Sequence, residues 1–282
     1  MKNGRFVRQL MLVLCLIVMT AACVFAQAPA GQEEYQPSVG QAGKDVIWVP
    51  TSQALANKML SLAQVTPQDY VIDLGSGDGR FVITAAKLGA RAHGIEYNPD
   101  MVELSKRTAA REGVAGKATF IKADLFESDF SSATVITMFL LPDINLRLRP
   151  TILNLKPGTR IVSNSFDMGD WKADQTITLS REEGCDNNYC QAFFWVVPAK
   201  VAGTWKLPQG ELRITQEYQM ISGELSSGKD RIPIADGRLS GSRISFKVGE
   251  TLYTGNVAGA AMEGTSTAGG QNAKWSATRA AN

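Results

Sequence analysis

The hydrophobic and polar positions fall into two textures that change near residue 200. Upstream, Leu55, Met59, Leu60, Leu62 and Ala63 recur at helical spacing behind the extended stretch Val46-Ile47-Trp48-Val49-Pro50, with Thr51 or Ser52 placed to cap the helix. Short apolar runs follow at Val71-Ile72-Asp73-Leu74, at Ala92-His93-Gly94-Ile95, at Ala118-Thr119-Phe120-Ile121 and from Val135 to Leu141. Near-continuous apolar runs are what parallel strands covered on both faces look like, and a helix is expected after the first of them. Residues 176–180 and 191–197 read as a closing antiparallel hairpin. Beyond Gly203 the helical pattern stops and eight short alternating runs follow, at 211–216, 218–222, 231–234, 237–239, 243–247, 252–257, 261–265 and 274–279. Short strands between glycine-bearing turns predict a small antiparallel barrel or sandwich. The expected architecture is an α/β sheet domain over residues 45–199 and an all-β domain over 200–282.

Composition supports two cores: 282 residues, 44% hydrophobic and 20% charged. The first 26 residues belong to neither. Lys2, Arg5 and Arg8 precede an apolar run from Leu10 to about Val18, then small residues and Val24-Phe25-Ala26, the pattern of a secretory signal peptide cleaved after Ala26. Residues 27–44 would then be a linker. The apolar run is shorter than the ~20 residues of a membrane span, so no transmembrane span is expected in the mature chain. An exported protein, periplasmic or secreted, follows. Removing residues 1–26 takes three basic residues and no acid from a formal +2, leaving −1. With no basic cluster and no aromatics interleaved among basic residues, nucleic acid is not an expected partner. Two cysteines survive the cleavage, in Gly184-Cys185-Asp186-Asn187-Asn188-Tyr189-Cys190. A Cys185 to Cys190 disulfide across the hairpin is the expected use of an even pair in an oxidising compartment, with two free thiols as the alternative. Together with the single histidine, His93, they are too few for a metal site without carboxylates, and none is expected.

The chemistry concentrates in Val71-Ile72-Asp73-Leu74-Gly75-Ser76-Gly77-Asp78-Gly79-Arg80. Alternating glycines allow a bend of positive φ out of a strand and let a ligand lie against bare backbone. The order is D-x-G-x-G-x-G and not the G-x-G-x-x-G of a dinucleotide loop, and the two carboxylates would repel a pyrophosphate. They suit a ligand with a cationic amino group and a ribose. Asp73 has an alternative as a helix cap, Asp78 as a solvated loop acid, and Asp124 as a strand-end turn residue.

The run D-L-G-S-G-D-G closely resembles motif I of the class I methyltransferases, which implies S-adenosylmethionine as cofactor and Asp73, Gly75, Ser76, Gly77, Asp78 and Gly79 as its cradle. By the same resemblance Glu96, with Tyr97 beside it, stands where the family places the ribose carboxylate, and Asp124-Leu125 where it places the acid facing the adenine amino group. V-P-T-S, a helix ending M-L-x-L-A, and P-x-D-x-V-I-D-L-G-S-G-D-G-R-F-V-I-T-A-A-K resemble the lysine methyltransferases of the ATP synthase c-subunit and adenine nucleotide translocase and their bacterial relatives, from about Val46 to Trp171. That likeness implies a protein or small-molecule methyl acceptor, and puts Pro50 and Thr51 at the mouth of its site. The fourth strand lacks the N-P-P-Y or D-P-P-Y turn of the adenine N6 and glutamine methyltransferases. Asp143, Asn145, Asp167 and Trp171 follow strand ends on the ligand side of an open sheet and are further acceptor-site candidates. Methyl transfer rests on positioning and shielding from water, so no dedicated catalytic residue is assigned. Gly203-Thr204-Trp205 and Arg279 resemble the G-x-W opening and closing Arg of lipocalin-like barrels, an architecture in which the Arg packs over the Trp. The competing expectation is a nucleoside-binding or envelope assembly protein on a repurposed methyltransferase fold. Nothing in the sequence settles the oligomeric state.

Overall fold

The computed structural model describes residues 35–281. The expected signal peptide, 1–26, and the start of the expected linker lie outside them. From Pro37 onward the chain forms one compact unit. Helix α1 (Gln53–Leu62) starts at Ser52, whose hydroxyl accepts from the Leu55 N–H at 3.2 Å, and buries Leu55, Ala56, Met59 and Leu60. Then β1 (Tyr70–Leu74), α2 (Arg80–Lys87), β2 (Arg91–Glu96), α3 (Pro99–Arg111), β3 (Ala118–Lys122), β4 (Val135–Met138), α4 (Pro142–Ile152), β5 (Arg160–Asn164), β6 (Gln175–Thr178) and β7 (Gln191–Val196) build one sheet in the order β3-β2-β1-β4-β5-β7-β6. The first five strands run parallel, and β6 and β7 form the antiparallel hairpin. The order reverses between β1 and β4. That switch point opens a crevice at the carboxyl ends of the strands, the place ligands occupy in open α/β sheets.

The second sheet is a closed antiparallel barrel, which settles the choice between barrel and sandwich. Its strands are β8 (Gly203–Leu207), β9 (Gly210–Glu217), β10 (Met220–Ser227), β11 (Asp230–Ser240), β12 (Arg243–Val248), β13 (Thr251–Ala258), β14 (Ala261–Ala268) and β15 (Gln271–Arg279). Two details differ from the expectation. The runs 231–234 and 237–239 are one strand, bent where the register with β12 shifts between Ala235 and Arg238 and Asp236 takes φ 51°. The strand not expected is β8, whose Trp205 and Leu207 point into the barrel. Eight strands enclose just enough space for side chains, and Trp205, Phe246, Tyr253, Trp275 and a shell of aliphatics fill it. Arg279 lies over the Trp205 ring at 4.4 Å and donates to the carbonyls of Ala202 and Lys200 at 2.7 and 2.6 Å, closing one end.

The barrel is not a loosely tethered appendage. Buried Gln219 accepts from the Trp171 indole N–H at 2.9 Å and donates to the Lys172 carbonyl at 2.8 Å, while Tyr218 stacks on Trp171 at 6.0 Å. Trp171 is therefore corrected from acceptor-site candidate to packing residue: it is fully buried between Trp195 of the sheet and Tyr218 and Gln219 of the barrel. Among the described residues no helix is long and apolar enough to cross a membrane.

Candidate active site

The crevice is built from the ends of three neighbouring strands. In the register Asp73 of β1 faces Gly94 of β2 and Thr137 of β4. Thr137 donates its hydroxyl to the Asp73 carboxylate at 2.6 Å, and Asp73 is buried. Burial pushes this carboxyl up to about 8; the Thr137 hydrogen bond opposes the rise and the neighbouring Asp78 and Glu96 charges add to it. Gly94 is glycine for space: a Cβ there would stand 2.5 Å from the Ser76 hydroxyl and 2.7 Å from the Phe120 ring.

The loop after β1 has the conformation its glycines require, with φ of 73°, 52° and 80° at Gly75, Gly77 and Gly79. Glu96, at the end of β2, holds it. One carboxylate oxygen accepts from the Gly77 N–H and the other from the Asn98 N–H, both at 2.8 Å. The Ser105 hydroxyl, from α3, donates to the Gly77 carbonyl at 3.1 Å. Helix α2 begins at Gly79 without a side-chain cap, so the capping alternative for Asp73 does not hold. Asp78 is ion-paired with Arg80, whose guanidinium also donates to the Thr51 carbonyl. The loop is thereby tied to the segment that leads into α1.

Residues 40–48, placed by sequence partly in a linker, fold as a small strap against the crevice. Its ends are joined by the Gly40 N–H to the Trp48 carbonyl at 2.8 Å and the Trp48 N–H to the Gln41 carbonyl at 2.9 Å. Lys44 pairs with Asp124 and stands 5.1 Å from the Tyr97 ring centre. Its hydrogen bond is the chief cause holding the Asp124 carboxyl below the usual range. The Trp48 indole lies so close to the loop that a Cβ on Gly77 would meet its Nε1 at 2.7 Å. Arg80, Lys44 and Trp48 were not singled out in the sequence, because Arg80 to Thr51, Lys44 to Asp124 and Trp48 to Gly77 are contacts between segments far apart in the chain.

Asp73, Gly75, Ser76, Gly77, Asp78, Glu96, Tyr97, Asp124, Leu125, Pro50 and Thr51 all line this one cleft. Gly79 sits behind it, packed on Phe120 and Ser105. Three more acceptor-site candidates are corrected. Asp143 is exposed in the first turn of α4, where its neighbour Ile144 faces the cleft instead. Asn145 is buried and donates to the carbonyls of Phe166 and Asp167 at 3.2 Å, so it shapes the loop after β5 and does not line the cleft. Asp167 is likewise exposed and outside the lining, its carboxylate accepting from the Gly169 N–H at 3.0 Å. Buried Thr51 accepts from the Asn164 side chain at 2.9 Å. The Cys185–Cys190 disulfide is formed, with Cα atoms 5.7 Å apart.

S-adenosylmethionine fits this donor set. The glycine loop is a cradle with no room for side chains, Ser76 has a buried hydroxyl without a partner, and the buried Asp73 carboxyl lies where a cationic group would favour its charged form. Glu96 keeps lone pairs that ribose hydroxyls would use, and Asp124, paired with Lys44, lines the same cleft.

Comparison with known proteins agrees. A family model described as the ANTKMT methyltransferase domain matches residues 73–175, ending ahead of the barrel. A protein-lysine N-methyltransferase of Saccharolobus islandicus is 41% identical over 146 residues, 51% of this chain and 89% of that protein. The human lysine N-methyltransferase of the ATP synthase c-subunit is 39% identical over 105 residues, 37% of this chain and 45% of its own length. The chain thus spans nearly all of the first relative and under half of the second. Among solved structures, an RNA methyltransferase from Salinibacter ruber in complex with S-adenosyl-L-homocysteine is 45% identical, covering 54% of this chain and 96% of that one at a TM-score of 0.50. With cradle, sheet order and relatives in agreement, this chain belongs to the family of S-adenosylmethionine-dependent methyltransferases that the Saccharolobus islandicus enzyme represents.

Proposed function

We propose that the protein is an exported protein-lysine N-methyltransferase. The observation that carries the acceptor class is the character of the cleft beyond the acids: Pro50, Phe139, Leu140, Leu141 and Ile144 make its wall apolar. A lysine ammonium has no lone pair to attack with, and an apolar wall disfavours the charged form. Held on the 75–79 loop, S-adenosylmethionine would supply a methyl on a positively charged sulfur, ready for an amine lone pair with a neutral thioether as the leaving group. The work left to this chain is to hold the donor on the 75–79 loop, strip water from the amine and align the two. The names of the relatives support the same acceptor. The near-neutral balance of residues 27–282 speaks against the RNA that the Salinibacter ruber protein's name mentions. Export is supported by the Lys2, Arg5, Arg8 and apolar pattern and by the disulfide. An intact cradle speaks against a repurposed, non-catalytic fold.

Calorimetric titration with S-adenosylmethionine and S-adenosylhomocysteine, followed by labelled-methyl transfer onto envelope protein extracts and mass spectrometry of the labelled peptides, tests the reading. Saturable binding and methyl groups on lysine Nζ are expected. Label on any other atom overturns the acceptor, and absence of binding overturns the enzyme.

A further inference from the structure

Three aromatic rings meet on the wall of the same cleft, and none of them stands in a motif. Phe139 follows β4, Phe166 follows β5, and Tyr189 comes from the loop between β6 and β7. Phe139 and Tyr189 meet edge to face at 5.2 Å, Phe166 and Tyr189 at 6.4 Å with a 60° tilt, and Phe139 and Phe166 stack at 6.1 Å. Each is half-buried and lines the cleft. Rings gathered on one wall and left partly open to a cleft are a surface for an apolar or cationic occupant.

Tyr189 reaches that wall through the disulfide. It precedes Cys190, and its N–H donates to the Asn187 side chain at 2.8 Å inside the loop that Cys185 and Cys190 close. Cys185 is buried in the core under α1, so the bond ties an exposed turn to a fixed point.

We propose that Phe139, Phe166 and Tyr189 form the subsite for the acceptor's alkylamine arm, with the Cys185–Cys190 disulfide as the device that holds the third ring in place. The proposal rests on the lysine reading above and adds to it the residues that would recognise the side chain. The rings take up the four-carbon stem by dispersion and attract the ammonium on arrival, and the amine gives its proton to bulk water as its hydration shell is stripped. Tyr189 touches substrate in this arrangement; the two cysteines act through it as positioning residues.

The test uses oxidised full-length protein labelled with 3-fluorotyrosine, saturated with S-adenosylhomocysteine and titrated with n-butylamine, the lysine side chain without its backbone. The Tyr189 fluorine resonance, assigned by Tyr189→Phe, is expected to shift saturably. In Cys185→Ser/Cys190→Ser the homocysteine affinity should persist, confirming a folded cradle, while butylamine binding weakens about tenfold, the loss of one well-placed ring contact. In Tyr189→Ala the KM for a single-lysine peptide should rise by a similar factor with the cofactor affinity unchanged. A Tyr189 resonance that butylamine does not move overturns the subsite, and unchanged butylamine binding in the double serine variant overturns the role of the disulfide. Failure of the underlying reading looks different. Absent homocysteine binding strikes the methyltransferase assignment, whereas a butylamine shift without peptide methylation keeps the amine subsite and removes lysine as the acceptor.

Discussion

Two carboxylates at the ends of adjacent strands answer to different forces. Asp73 is buried and raised to about 8, so near neutral pH the folded protein carries a proton there that the unfolded chain, at 3.8, does not. The native state binds more protons in that window, and this contribution to stability is fully present below about 4 and lost as pH rises through about 8. A cationic ligand favours the ionised form, so cofactor binding at pH 7 should release up to one proton and tighten as pH rises towards 8. Titration calorimetry in two buffers of different ionisation enthalpy measures it; no buffer dependence, with none in Asp73→Asn either, would refute the assignment. Glu96 holds two loop N–H groups as well as facing the cleft, so Glu96→Ala should cost both fold and affinity. Glu96→Gln keeps one acceptor oxygen for the loop and should chiefly weaken S-adenosylmethionine, by about tenfold to a hundredfold for a charged hydrogen bond. Equal melting temperatures for Glu96→Ala and wild type would contradict the loop-holding role.

Elements were legible in the sequence to the degree that their signals are local. Apolar runs, alternating glycines and an acid at a strand end announce β1, β2 and the loop that follows β1, because each demand is met within a few residues. The strand-end rule also named Asp143 and Asn145, yet it fixes only the end of the sheet and not which helical face turns to the cleft. The aromatic wall, the Lys44–Asp124 pair and the Arg80 contact with the Thr51 carbonyl join segments far apart in the chain, and no spacing encodes them. In the barrel, one bulged strand read as two runs, and β8 read as a frame around Trp205. The Arg279 closure was implied by the resemblance of Gly203-Thr204-Trp205 and Arg279 to the two ends of lipocalin-like barrels. Arg279→Met should remove both carbonyl hydrogen bonds and cost about 1–2 kcal/mol, measured by denaturant midpoint. No change would mean that packing alone closes the barrel.

At the scale of the molecule, sheet and barrel share a seam. Gln219 fills the hydrogen-bonding needs of Trp171 and Lys172, and Arg238 of the barrel pairs with Asp174 at 2.5 Å. Gln219→Leu should leave the buried Trp171 indole N–H without its partner and cost about 1–3 kcal/mol. Thermal unfolding should then move to lower temperature as one transition, because both halves lose the same contacts; two separated transitions already present in the wild type would argue against the seam.

Of the chain's five tryptophans, Trp171, Trp195, Trp205 and Trp275 are buried, while Trp48 is half-open and rests on the Gly77 turn. The molecule therefore carries its own optical reporter. Steady-state emission should be dominated in its red edge by a single indole beside the adenosine cradle, so cofactor arrival and departure can be followed in a stopped-flow instrument without any dye, and Trp48→Phe should silence that signal while the bulk of the fluorescence remains.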